Sequence, residues 1–284
     1  PGGPPERVVR AHEEALSQGL QLLIGSELPF ADGPRLVVLA ADLTGYRNLS
    51  RVISRARRRA PKGQWQLLAQ DLDDGLDGCL ILWLPDPDTP TGSQDEWGQR
   101  LAARFAARCW IGVVLHRTGD DAGRLKRLRR LGARVGLPLT AMGGVLMHVA
   151  ERRALLDVMA AIRKGTTVAD GAAERQNREQ YLRPLDVLAR FYPSDLLAET
   201  ARIAERCGFT LAAIRYEYPQ ELVPAGETPS SHLRTLTEQG AARRFPDGVP
   251  EKVCRQIEHE LGLLEELAYA PFFLTVHDIV RFAR

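Results

Sequence analysis

Five short apolar runs constrain this chain more than any other feature. They occupy residues 20–24 (LQLLI), 35–40 (RLVVLA), 79–84 (CLILWL), 110–115 (WIGVVL) and 137–141 (LPLTA). Continuous apolar runs of this length, bounded by turn residues, read as strands buried on both faces. Between them, apolar residues recur at helical spacing: Leu49, Val52 and Ile53 within 46–59, and Leu125, Leu128 and Leu131 within 120–135. Ala31-Asp32-Gly33 is a hairpin-type turn. Residues 8–18 and 99–107 also read as helices, and residues 85–97 (PDPDTPTGSQDEW) as an exposed loop. The alternation predicts an α/β architecture, a parallel sheet or barrel with helices outside.

After Gly165 no further strand is legible. Residues 181–190, 196–207, 232–244 and 252–267 read as helices, and 219–226 as an extended connector. The expected division is a β/α domain over 1–165 and a helical segment over 166–284, with the change between 165 and 178. The opening residues, PGGPPE, read as a linker, which leads to the expectation of a piece of a longer protein.

The stretch LPLTAMGGVLMHVAERRALLDVMAAIRK, residues 137–164, has the form of a strand, a Gly-Gly break and a helix with Leu155, Leu156, Met159 and Ile162 as its apolar positions. In α/β proteins such a strand end is where ligand-handling residues sit. The break carries Gly143, Gly144, Leu146 and His148. Glu27 follows the first run and His116 follows the fourth; each reads as a metal ligand or as an ordinary solvated side chain. A multi-metal hydrolase would need clusters such as His-x-His or Asp-x-His, since residues at i and i+2 of an extended segment point the same way. Neither pattern occurs. A Walker phosphate loop and a G-x-S-x-G elbow are absent as well.

Net charge is only +2, yet residues 51–62 (RVISRARRRAPK) hold six basic groups and no acid. Arg55, Arg57, Arg58, Arg59 and Lys62 therefore read either as DNA phosphate contacts or as a solvated helix end favoured by the helix dipole. Four widely spaced cysteines with no CxxC pair fit reduced structural thiols in a cytoplasmic protein. No apolar run reaches the roughly 20 residues that span a bilayer.

Several runs taken together resemble one family. They are residues 22–63, 137–165, 196–211 (LLAETARIAERCGFTL), 216–228 (YEYPQELVPAGET) and 257–284 (IEHELGLLEELAYAPFFLTVHDIVRFAR). These resemble the amino-terminal part of bacterial C-family DNA polymerases, and most closely the error-prone, damage-inducible paralogue of the replicative polymerase III α subunit. The resemblance implies a PHP-type (β/α)7 barrel, incomplete at its amino terminus, followed by helices leading to a polymerase palm. It implies DNA as partner, Mg2+ as cofactor of the parent polymerase and none in this part, and other translesion-synthesis proteins as further partners. Glu27 matches a family metal ligand, and Arg35 falls near a histidine ligand. Gly144 and Leu146 stand where metal-binding members carry Asp and His. The resemblance thus implies a degenerate PHP site in which Glu27 is vestigial, and a part without catalytic residues of its own. The alternatives are a free-standing metal-dependent PHP phosphoesterase or 3′–5′ exonuclease, and a non-catalytic interaction module.

Overall fold

The computed structural model describes residues 5–73, 75–170, 177–214 and 223–283. The chain divides into two compact units, 1–214 and 215–284. In the first, helix α1 (Pro5–Ser17) precedes the hairpin of β1 (Gly25–Pro29) and β2 (Arg35–Ala40). There follow α2 (Leu43–Arg58), a 3-10 turn at Ala69–Leu72 and β3 (Cys79–Leu84). The chain continues through α3 (Thr91–Arg104), β4 (Cys109–Val114), α4 (Asp121–Val135), β5 (Leu139–Met142), α5 (Arg153–Lys164), α6 (Leu185–Phe191) and α7 (Ser194–Glu205).

The strands form one open sheet in the order β1-β2-β3-β4-β5. Strands β3 to β5 run parallel, as the alternation predicts, whereas β1, β2 and β3 run antiparallel. The β2–β3 exception has a cause in the connection. Helix α2 carries the chain along the sheet, and residues 59–78 bring it back to the end it left, so that Ala41 N donates to Gly78 O (2.9 Å).

The expected strand over 20–24 is displaced. The ladder pairs Gly25 with Leu39 and ends just beyond, where Asp42 caps α2 and turns β2's chain away. Ile24 O still accepts from Ala40 N (2.8 Å), at the last residue of β2, and the strand itself runs from Gly25 with Glu27 at its centre. The expected loop over 85–97 also gives way to helix from Thr91. Pro90 stands at its N-cap, and the small polar residues that suggest a loop, Thr91 and Ser93, fall in its first turn.

One sheet face carries Leu36, Val38, Ile81, Trp83, Ile111 and Val113, all buried beneath α2, α3 and α4. On the other face, Leu80, Leu82 and Trp110 pack against Ile203 and Cys207 of α7 and its end. Polar contacts fix that helix: Trp110 Nε1 donates to Glu199 (2.7 Å), and the Thr140 and Thr200 hydroxyls hydrogen bond at 3.0 Å. Helices α6 and α7 thus belong to the sheet's unit, which extends through Ile214. Helix α5 buries only Ala161 and leaves Leu155, Met159 and Ile162 exposed.

The second unit contains α8 (Pro229–Arg244), α9 (Glu251–Glu266) and α10 (Ala270–Ala283). Thr228 and Ser231 cap α8 reciprocally. Its small core is Leu233, Ala270 and Leu274, with Leu236, Leu261 and Leu264 against it. Helix α10 falls in the family-like run 257–284, beyond the last helix expected from spacing. Of the connector expected over 219–226, residues 219–222 lie outside the described residues. Among those described, no helix is long and apolar enough to cross a membrane.

Candidate functional site

Helix α7 covers only part of its sheet face. The remainder is the floor of a cleft of about 1140 Å3 at the carboxyl ends of β3, β4 and β5. Val37, Leu39, Leu84, Val114 and Met142 contribute apolar floor, while Glu27, Arg35, Asp86, His116, Asp121 and Arg124 supply charge and hydrogen-bonding capacity. The fold thus brings together four positions singled out by the sequence: Glu27 from β1, His116 beyond β4, and Gly144 and Leu146 beyond β5. His148 is exposed and stands outside the cleft lining.

Glu27 and Arg35 lie two residues apart in register on adjacent antiparallel strands, where diagonal side chains on one face meet. Their carboxylate and guanidinium form a close ion pair. His116 Nε2 donates to Gly143 O (3.0 Å), which ties the end of β4 to the Gly-Gly break. Gly144 has φ +55°, and a Cβ there would approach the His116 ring and Val114 at 3.1 Å. Leu146 is 59% exposed and carries no donor atom. Among the described residues, no group of three or more His, Cys, Asp and Glu side chains is placed to hold a metal ion. The residues present do not fit a multi-metal centre, because Glu27 is engaged by a guanidinium and positions 144 and 146 offer no ligand atom.

The rim is shaped by a segment that sequence patterns did not single out. Tyr192 Oη donates to Met142 O (2.7 Å) and accepts from Leu115 N (3.1 Å), bridging β4 and β5 where their own ladder ends. Burial pushes the phenol's pKa up. Arg183, 6% exposed, donates from Nη1 to Leu115 O (3.0 Å). Asn177 donates to His116 O, and Asp121 accepts from Arg117 N (2.8 Å). Arg117 and Arg183 both stack on Phe191, at 4.3 and 4.4 Å. Of these, only Asp121 had a local signal, the acidic pair at a helix start. The others act across some fifty to eighty residues of sequence, beyond the reach of periodicity.

The basic run lies at the end of α2, outside the cleft lining. Asp71, 2% exposed, accepts from Arg59 Nη1 (2.6 Å), Arg59 Nη2 (3.0 Å) and Leu68 N (2.9 Å). Arg55 stands 3.6 Å from the same carboxylate. The Arg59 hydrogen bonds hold Asp71's pKa below the usual carboxylate range and raise Arg59's. Arg55 and Arg59 are thus tied to the fold, while Arg57, Arg58 and Lys62 are exposed.

Comparison with known proteins narrows the class. The family model described as "Bacterial DNA polymerase III alpha NTPase domain" matches residues 231–284. Along almost its whole length the chain is similar to proteins named error-prone DNA polymerase. It is 53% identical over 279 residues to that of Methylococcus capsulatus, covering 98% of this chain and 26% of the relative. Identity is 50% over 278 residues to that of Pseudomonas aeruginosa, with 98% and 26% covered. For Dechloromonas aromatica it is 49% over 283 residues, with 98% and 27% covered. The chain spans about a quarter of the length of these curated relatives.

Proposed function

We propose that this chain serves an error-prone DNA polymerase, in DNA-directed DNA synthesis across damaged template during repair. The observation that carries the reading is similarity near 50% identity over 98% of the chain to proteins of that name. In this reading the open sheet corresponds to part of a degenerate PHP-type barrel over 1–165, and residues 166–284 lead toward a polymerase palm. The chain supplies scaffold and phosphate contacts, and Mg2+ serves the polymerase that contains it. Its setting is cytoplasmic, with DNA and other translesion-synthesis components as partners. Glu27 is a vestigial ligand, and its engagement by Arg35 supports that role.

The basic run is the proposed DNA contact. Within it, exposure favours Arg57, Arg58 and Lys62, whereas Arg55 and Arg59 also hold Asp71. The test is binding of a fluorescent primer–template duplex across a salt series. Removing one cation that neutralises a phosphate should flatten the log–log salt slope by about 0.9. The double variant Arg58→Ala/Lys62→Ala is expected to lower the slope by roughly 2 with an unchanged melting temperature. An unchanged slope removes these residues from the interface.

The phosphoesterase reading has its own experiment. Metal analysis of the purified chain, with a phosphodiester substrate and added Mn2+, is expected to give neither stoichiometric metal nor turnover. Metal-dependent turnover abolished by Glu27→Ala would establish that reading instead.

A further inference from the structure

We draw no further inference here: the strongest candidate, the outward apolar stripe of Leu155, Val158, Met159 and Ile162 on α5, carries nothing because nothing in the structure shows what covers it.

Discussion

Replacing Asp71 by Asn tests how the end of α2 is held. The side chain is 2% exposed and accepts three hydrogen bonds, two of them from a guanidinium. Asn keeps the volume but loses the charge and offers a single acceptor oxygen. Breaking a buried pair outright costs about 3–5 kcal/mol. Here Arg59 and Arg55 are partly open to water (27% and 35% by side chain), so both rehydrate and recover some of that loss. A destabilisation of about 2–3 kcal/mol remains. In a unit of this size it lowers Tm by about 4–12 °C. Circular dichroism melts at pH 7 measure it. The pH dependence supplies the sign. Asp71's folded pKa lies below its unfolded value near 3.9, so its contribution is fully present above that value. It is lost as pH falls through the lower folded pKa, and wild type and Asp71→Asn should converge in acid. A Tm change under 1 °C at pH 7, or a gap that widens below pH 4, refutes the reasoning.

Three further outcomes follow from the packing. Tyr192→Phe should cost about 1–3 kcal/mol, because Met142 O and Leu115 N lose a shared partner, and should hasten hydrogen exchange at Leu115. Gly45→Ala should prevent α2 from seating, since the new methyl would lie 2.0 Å from Gly78 O; a soluble variant with wild-type Tm contradicts this. Cys79 and Cys109 are buried with thiol pKa values pushed up to about 12, and Cys207 is buried too. A thiol reagent on the native chain should therefore modify exposed Cys254 alone, with the other three reacting only in denaturant.

Strands β3, β4 and β5 were legible because burial on both faces writes itself as an unbroken apolar run, as in CLILWL and WIGVVL. LQLLI carries the same composition yet touches β2 at its last residue, where Ile24 O accepts from Ala40 N, because β2 ends at Ala40 and Asp42 caps the next helix, a limit invisible in the run itself. The antiparallel β2–β3 pairing depended on the course of residues 59–78, which hold little periodic signal. At the candidate site, Glu27, His116, Gly144 and Leu146 stood out because each follows an apolar run, although Glu27 proves to lie mid-strand in β1. Arg124 did not, since it sits among six basic residues of one helix and only the cleft distinguishes it. The run at the end of α2 is uniform in sequence, but Asp71 singles out Arg55 and Arg59 within it.

The bridging phenol of Tyr192 has a consequence for the order of assembly. Leu115, Met142 and Tyr192 come from three separate stretches, and the sheet can zip without the last of them. The cleft's rim is then an opening unit of its own, whose undocking frees Leu115 and His116 while β3 to β5 stay paired. In native-state exchange, amides at 115–117 and 146–147 should share one opening free energy, below that of the central strands. The chain would thus contain a stable slab and a separately latched mouth.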